Sequence, residues 1–513
     1  MKKSTIGFLL IIALGVGGML IWRAVTPLLF EKQQIETSDS SDLDTLRIGG
    51  DNYLGYWFIT SPDMRKQSKN KGFRVSFTDD GGAYADRLQK FADSEYDCIV
   101  LPINSYLAHG GEHKYPGVIV AAVSESRGAD GIVGFGDRLP SGKINDLNDA
   151  SLNYVYTPDS PSSFLLDLTI SDFDLDQLRN GGGNRIMADG SGDVLNKART
   201  GEGDVFIMWE PDLSKALALP GMKYLWGSDR FSGYIVDVFV FHRDVVSDKP
   251  ALVRNFLTTY FRTMSSYAND RERMVEEMAR STSSSKKVVT GQLSKIEWFD
   301  LGENCRQQFG IPAKPGDNAR DGVINTIIAC TDVMVRSGAL EKDPLEGDPY
   351  RITNSKILED LSRGNMMVAG KGGGEVHFEE LNASGWSDLS EIGTFRIEPI
   401  TFQSWDNQLT DEGKSQIDKI ASLLTNNYPS YRIKVRGHTG VGGDEKENQV
   451  LSQARAESVV QYLKAVHSIN SARILAEGMG SSKPAPRKAG ESMRAWRYRL
   501  PRVEFVAVEA NRL

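Results

Sequence analysis

Short apolar stretches alternate with stretches of helical spacing over more than half of the chain, and this alternation constrains the fold most strongly. Between residues 46 and 335, apolar or alternating runs recur at 46–48, 98–101, 118–123, 153–156, 205–209 and 235–241. Between these runs, residues 83–91 and 251–267 carry apolar side chains at the spacing of one helix face. Alternating strands and helices predict an α/β domain with mainly parallel sheets.

The last part of the chain has a different order of elements. From Gly393 onward the pattern predicts the order strand, helix, strand, helix, strand and strand. The first four elements lie at residues 395–402, 417–424, 431–436 and 451–463, and the final strand lies at 502–508. A chain of 513 residues is too long for one ordinary core, so a separate compact α+β domain is expected here. Residues 341–392 are loosely patterned, with the run Gly370-Lys-Gly-Gly-Gly, and predict a linker.

The N-terminus has the pattern of a membrane anchor. Lys2 and Lys3 precede an uncharged stretch over residues 5–22, which Arg23 follows. At about 1.5 Å per residue this stretch nearly spans a hydrocarbon core about 30 Å thick. Because Trp22 and Arg23 make a poor signal-peptidase site, we expect an uncleaved anchor. The paired lysines predict a single pass through a bacterial inner membrane, with the bulk of the chain in the periplasm.

Composition and the reactive residues argue against several functions. A net charge of −8 and no basic segment make nucleic acid an unexpected partner. None of the three cysteines lies in a CxxC motif, so we expect no metal; Cys305 and Cys330 could form a disulfide in an oxidising compartment. His109 and His113 are four apart but lack the glutamate of a zinc-protease helix. We therefore predict neither catalytic residues nor a cofactor.

Several motifs of the C-terminal part occur in the order and spacing of a known family. They are Phe402, Leu409, Gly437-His-Thr, Leu451-Ser-Gln-Ala-Arg-Ala, Val459, Tyr462-Leu463 and Gly478-Met-Gly. Over residues 393–508 the chain thus resembles the OmpA and MotB peptidoglycan-binding family. The resemblance implies that an aspartate and an arginine fifteen positions later hold the diaminopimelate of the wall peptide. A guanidinium suits this role because it can grip a carboxylate with two parallel hydrogen bonds.

The sequence keeps only part of that family site. Arg455 stands at the arginine position, but Gly440 replaces the aspartate, and Asp444 in the same loop is a possible substitute. The resemblance implies the wall-binding residues His438, Thr439, Gly440, Asp444, Arg455 and Arg502. Losing the anionic partner of an ammonium group would weaken binding by a few kcal/mol. The alternative is an inherited fold with Arg455 in a surface salt bridge.

The central part resembles the periplasmic solute-binding proteins of nitrate, sulfonate and taurine ABC transporters. The likeness rests on residues 46–57, 154–166 and 203–211. It implies a type II-like fold in which two lobes close on a small molecule, with ligand groups on loops at the ends of strands.

Polar and aromatic residues after the predicted strands fit such a cleft. The candidate ligand-binding residues are Tyr53, Tyr56, Trp57, Asn104, Ser105, Ser160, Ser162, Ser163, Trp209, Glu210 and Asp237. The serines before the apolar stretch 164–168 favour an anion at a helix N-terminus, or are simply caps. Asp51, Glu210 and Asp237 favour a cation or an amine. The ligand class stays open, and the aromatic residues could equally belong to the core.

These patterns combine into one hypothesis for an α/β multidomain protein. We expect a membrane anchor at 1–30, a linker at 31–45, a bilobal solute-binding domain at 46–340, a linker at 341–392 and an OmpA-like α+β sandwich at 393–513. The expected partners are a small solute, peptidoglycan, the membrane and a permease or sensor protein. The alternative is a structural envelope tether with a vestigial cleft.

Overall fold

The computed structural model describes residues 34–38, 43–314, 318–363, 378–403, 406–488 and 490–510. The predicted anchor at residues 1–30 lies outside the described residues. Within those residues, no helix is long and apolar enough to cross a bilayer.

The first lobe is built on a seven-stranded sheet. Its strands are β1 (Gln34–Glu36), β2 (Asp44–Gly50), β3 (Phe73–Asp79), β4 (Cys98–Pro102), β5 (Gly117–Ser126), β11 (Val236–His242) and β12 (Ile296–Trp298). Their spatial order is β1-β3-β2-β4-β11-β5-β12. Helices cover the sheet at Pro62–Asn70, Tyr84–Ala92, Ile103–Gly110, Arg243–Asp248, Pro250–Ala268, Arg271–Ser281, Lys286–Leu293, Gly322–Ser337 and Lys356–Arg363. Strands β4 and β11 lie at its centre and are buried on both faces, with mostly apolar side chains.

The second lobe has a five-stranded sheet. Its strands are β6 (Asp130–Phe135), β7 (Asn153–Tyr156), β8 (Asn184–Met187), β9 (Val205–Trp209) and β10 (Met222–Gly227), in the order β10-β6-β9-β7-β8. Helices Pro161–Asp172, Ser191–Thr200 and Asp212–Leu217 pack against it. The chain thus enters this lobe after β5 and returns to the first lobe before β11.

Both sheets are mixed, so the prediction of mainly parallel sheets was wrong. β2 runs parallel to β3 and β4, but β11 runs antiparallel to β4 and β5. In the second lobe β7 is parallel to β8 and β9, whereas β6 is antiparallel to β9 and β10. A parallel neighbour requires a crossover, usually through a helix. β6 and β11 instead enter their sheets from the segments that join the two lobes.

The C-terminal part forms a four-stranded sheet with helices on it. The strands are β13 (Ser390–Phe395), β14 (Arg432–His438), β15 (Ile474–Gly478) and β16 (Arg502–Glu509), in the order β13-β16-β14-β15. The helices are Asp411–Asn426, Glu445–His467 and Met493–Arg499. The strand predicted at 395–402 is wrong, because the strand ends at Phe395. Pro399 cannot donate to a ladder, and Phe402 makes only an isolated bridge to Leu409.

Residues 341–392 contain regular structure. The face of helix Lys356–Arg363 that carries Leu358 and Leu361 is buried, and Thr353 bridges to Ile119 of β5. Helix Ala383–Ser387 precedes β13. The domain boundaries given above stay predictions.

The C-terminal domain packs on the second lobe through a shared aromatic core. Phe173 stacks on Phe395 with ring centroids 5.3 Å apart and meets Trp226 edge-on at 5.1 Å. Trp226 in turn stacks on Tyr431 at 6.4 Å. The backbone nitrogen of Arg396 donates to the Asp172 carbonyl at 2.8 Å. The two domains therefore form a continuous core at this contact.

All three cysteines are buried and free. The Cys330 thiol lies 3.3 Å from the Tyr234 carbonyl oxygen, and the Cys305 sulfur lies 4.0 Å from that of Leu358. The possible disulfide between Cys305 and Cys330 is therefore not formed in this structure.

Candidate functional site

The two lobes are closed on each other. The Lys295 ammonium of the first lobe contacts the Glu210 carboxylate of the second. The Ser105 hydroxyl lies 3.5 Å from the Asp159 carbonyl oxygen across the cleft. An added Cβ at Gly82 would lie 3.9 Å from the Trp209 ring. The loops after the strands of both lobes therefore meet, as the bilobal fold predicts.

The aromatic candidates after β2 separate into two environments. Tyr56 lies in the 3-10 helix Leu54–Thr60, and its hydroxyl donates to the Asp237 carboxylate at 2.5 Å. Tyr53 packs edge-on against Tyr56, with centroids 5.2 Å apart. Trp57 instead donates to the Ser281 hydroxyl at 2.8 Å and packs within the first lobe. Tyr56 thus contacts Asp237 and carries Tyr53 against it, whereas Trp57 contacts other parts of the first lobe.

Asp237 and Asp130 are buried carboxylates at the ends of the segments that join the lobes. Asp237 accepts hydrogen bonds from Tyr56 and, at 3.2 Å, from the Ser124 hydroxyl; Asp130 accepts one from Ser126 at 2.6 Å. Within the described residues, no basic side chain lies within ion-pair distance of either carboxylate.

Burial changes the pKa of both groups. Burial, together with the charges of Asp51 and Asp130, raises the pKa of Asp237 to about 8, although Tyr56 opposes the shift. The pKa of Asp130 rises to about 7 for the same reason, with Glu210 and Asp51 as the nearby negative charges.

The other acidic candidates are neutralised by basic side chains. The fully buried Arg87 guanidinium lies 2.9 Å from Asp51 and 2.6 Å from Asp80. Lys295 neutralises Glu210. Sequence reasoning missed Asp130, Arg87 and Lys295. Arg87 had a usable signal, because it is four residues before the buried Phe91 and so lies on the core face of its helix.

The polar residues after β4 and β7 meet where the lobes touch. Asn104 is only 2% exposed, and its carbonyl oxygen has no hydrogen-bond partner among the residues described. The side chains of Ser160 and Ser163 form a capping box at the start of helix Pro161–Asp172. The hydroxyls of Ser162 and Thr157 are buried without a partner in the described chain. Of the three predicted serines at the start of this helix, two serve as caps, and the Ser162 hydroxyl has no partner among the residues described.

The C-terminal candidate site centres on Arg455. Its Nε donates to the Asp406 carbonyl oxygen at 3.1 Å, and its guanidinium lies 5.1 Å from the centre of the Phe402 ring. Burial lowers the pKa of Arg455. No carboxylate of the described residues forms an ion pair with it, so the predicted surface salt bridge is absent there. Beside it lies a pocket of about 450 Å³, lined by Asp406, Asn407, Lys446, Glu447, Val450, Leu451 and Ala454.

The remaining residues of the predicted wall-binding set have other partners. Asp444 accepts from the backbone nitrogens of Lys446 and Glu447 and caps helix Glu445–His467. His438 lies 3.2 Å from Glu504, and Arg502 donates to the same carboxylate at 2.7 Å. Burial opposes ionisation of Glu504, but hydrogen bonding from His438 and the charge of Arg502 lower its pKa to about 2.

Two residues of the Gly-His-Thr loop complete this region. Thr439 is buried, and its backbone nitrogen donates to the Gly480 carbonyl at 2.9 Å. Gly440 faces open space, since no heavy atom lies within 4 Å of a Cβ added there.

Comparison with known proteins finds similarities for two separate parts of the chain. Residues 401–497 match the model of the OmpA family. Outer membrane protein A of Klebsiella pneumoniae is 38% identical over 88 residues, which are 17% of this chain and 25% of that protein. The chain spans about a quarter of the length of the curated relatives it matches.

The first two thirds of the chain resemble solved periplasmic binding proteins. The nitrate-binding protein NrtA from Synechocystis covers 64% of this chain and 90% of its own, with a TM-score of 0.50 and 10% identity. The alkanesulfonate-binding protein SsuA from Xanthomonas axonopodis covers 63% and 99%, with a TM-score of 0.45 and 13% identity. The first part of the chain therefore shares the fold of the periplasmic nitrate-binding protein, and residues 401–497 are similar to the OmpA family.

Proposed function

We propose that this protein is a receptor of the bacterial cell envelope that binds a small solute between its lobes and peptidoglycan through its C-terminal domain. Residues 1–30 anchor it in the inner membrane, and the rest of the chain lies in the periplasm. It acts without catalysis, as the receptor of an ABC-type permease or as a sensor. The closed interlobe cleft, with its buried and unneutralised polar groups, carries this proposal.

The cleft is costly to maintain unless a ligand occupies it. Burying Asp130, Asp237 and the Asn104 carbonyl without full compensation costs on the order of 1–3 kcal/mol for each polar group. A ligand that forms the missing contacts recovers this free energy on binding. Such a cost at the meeting point of two lobes is typical of a binding site.

Arg455 supports the wall-binding part of the proposal. Its guanidinium is held by the Phe402 ring and the Asp406 carbonyl, which leaves its remaining N–H groups for a carboxylate. The adjacent pocket has room for a short peptide side chain. The similarity of this domain to outer membrane proteins supports a location in the envelope.

Binding of a solute is tested by a thermal-shift screen of the full chain in a mild detergent. Nitrate, sulfonates, phosphate, amino acids, polyamines and pyrimidines form the panel. A solute that raises the melting temperature in a saturable way supports the receptor, because a ligand stabilises only the state it binds. Asp237→Asn should abolish that shift, whereas Asp248→Asn, on the exposed end of helix Arg243–Asp248, should leave it unchanged.

Wall binding is tested by sedimenting the protein with purified sacculi. Arg455→Ala should release it, and Arg494→Ala, an exposed arginine of helix Met493–Arg499, should not. Retention without any solute response would favour the alternative, a wall tether with a disused cleft. Equal retention of the two variants would contradict the role of Arg455.

A further inference from the structure

The charges around the closed cleft do not balance. The carboxylates that the structure gathers there are Asp51, Asp80, Asp130, Glu210 and Asp237, and the basic side chains against them are Arg87 and Lys295. Arg87 is fully buried and is held by two of the carboxylates, while Lys295 is bound to Glu210. Asp130 and Asp237 are left without a cation in the described part of the chain.

These two carboxylates face a common region. Asp237 is the second residue of β11 and lies opposite Ser124 of β5 and Pro102 of β4. Asp130 opens β6, just beyond the end of β5. Asp237 accepts a hydrogen bond from Ser124 and Asp130 accepts one from Ser126, and side chains two residues apart lie on the same face of strand β5. A ligand between the lobes would therefore meet both.

A buried acceptor lies two residues after the strand position that faces Asp237. Asn104 lies between Pro102, the register partner of Asp237, and Ser105, which contacts the second lobe. Its side chain is almost fully buried, and its carbonyl oxygen has no partner among the described residues. A carbonyl oxygen can only accept hydrogen bonds, so it requires a donor on the ligand. This observation is independent of the carboxylates.

The alternative, an anionic ligand, finds no basic side chain among these residues that is not already paired with a carboxylate. Ser160 and Ser163 are engaged as helix caps, and the Arg87 guanidinium is already neutralised. An anion would enter a region where the two carboxyl groups without a cation, Asp130 and Asp237, can only become less favourable neighbours when they ionise, whereas an ammonium group stabilises their ionised form. The rings of Tyr53 and Tyr56, which meet edge-on beside Asp237, instead offer surfaces that attract a cation.

We propose that the solute is a small organic cation with at least one protonated amine, bound by Asp130, Asp237 and the carbonyl oxygen of Asn104. This inference rests on the receptor function proposed above and names its ligand class. The ammonium donates to the two carboxylates and to the amide oxygen. The hydroxyls of Thr157 and Ser162 remain for a polar group at the other end of the molecule.

Calorimetric titration of the full chain in a mild detergent tests this inference. Putrescine and agmatine are the cationic probes, methanesulfonate and nitrate the anionic ones, and calcium chloride is the metal control. We expect saturable binding of at least one amine, and no binding of either anion. Asp237→Asn should weaken amine binding at least tenfold, Asn104→Leu should weaken it severalfold, and Asp248→Asn should not change it.

Folding of the variants is followed by their melting temperatures, so that a loss of binding is not confused with unfolding. Binding of nitrate or methanesulfonate would overturn the cation class and leave the receptor in place. Binding of calcium alone, amine binding that survives Asp237→Asn, or no response to either amine would also overturn it. The proposed receptor function is contradicted by a separate result. Native mass spectrometry of the chain purified from cells would then show no retained small molecule, and no solute of the panel would raise the melting temperature.

Discussion

At the scale of single residues, the cleft contains groups that oppose folding when no ligand is bound. Asp237 is buried and accepts hydrogen bonds from Tyr56 and Ser124, but these do not replace a positive charge. Its pKa rises from 3.8 to about 8. The folded state therefore favours the protonated carboxyl, and the group stabilises the fold relative to the unfolded chain only at low pH.

The stability of the ligand-free protein should consequently fall as pH rises. The contribution of Asp237 is fully present below its unfolded pKa near 3.8 and is lost as pH rises towards its folded pKa of about 8. Asp237→Asn removes this loss, so at pH 8 it should raise the free energy of unfolding by about 2 kcal/mol or more. At pH 4 the variant should differ little. Thermal denaturation at the two pH values measures the effect, and an equal shift by Asp248→Asn would contradict it.

Gly440 stands at the position where the resemblance to the OmpA family implies an aspartate. A side chain at this position would meet no neighbour, so Gly440→Asp can restore the anion of the family site without a clash. A charged hydrogen bond to an ammonium group contributes about 1.5–3 kcal/mol, so sacculus binding should become about tenfold tighter or more. Val441→Asp adds the same charge at the adjacent exposed residue. If both variants bind sacculi equally tightly in sedimentation assays, the gain in affinity comes from the added negative charge and not from its position.

At the scale of elements, the strength of the apolar pattern decided what the sequence could predict. Strands β7 and β9 occupy the predicted residues 153–156 and 205–209. A short apolar run between turn residues is too short for a helix and is best buried as a strand. The orientation of β6 and β11 was missed, since it depends on where the chain crosses between lobes. The sequence also could not show that Asp130 lies near Asp237, because they are distant in sequence and the closed fold brings them together.

Helix Glu445–His467 lies unusually close to the strands beneath it, and two glycines permit this. A Cβ added at Gly437 of β14 would lie 2.1 Å from the carbonyl oxygen of Ser452, and one at Gly478 of β15 2.7 Å from the backbone nitrogen of Gln453. The neighbouring atoms belong to a helix backbone and cannot rotate away. The glycines of the two family motifs are thus required for packing, whatever the domain binds.

Gly437→Ala should therefore destabilise the C-terminal domain. We expect a loss of about 1–3 kcal/mol or more, the usual cost of overpacking a tight contact. Gly440→Ala, three residues later, should change stability by less than about 0.5 kcal/mol because its surroundings are open. Urea unfolding followed by circular dichroism compares the two. An equal effect of both substitutions would contradict the close contact of helix and strand.

At the scale of the whole molecule, the C-terminal domain holds one of the two segments that join the lobes. The backbone nitrogen of Ser232, between β10 and β11, donates to the Asn427 carbonyl at 2.8 Å, and the Asn427 side chain donates back to Ser232 at 2.9 Å. Arg230 of the same segment forms an ion pair with Glu509 at 2.5 Å. Opening the lobes requires this segment to change conformation. Closure of the cleft and docking of the C-terminal domain should therefore be coupled.

Removing the side chain of Asn427 should weaken that coupling. Because Asn427 holds the segment in the closed conformation, Asn427→Ala should lower the population of closed cleft and reduce solute affinity by about fivefold or more, the lower end of typical allosteric effects. Asn426→Ala is the matched control, since this exposed residue donates only to Ser422. Titration with the solute measures the affinity of both variants.

Linkage also requires that any effect of wall binding on solute affinity appear in reverse as an equal effect of the solute on sacculus binding. Unchanged affinity in Asn427→Ala would show that the C-terminal domain does not bias the lobes.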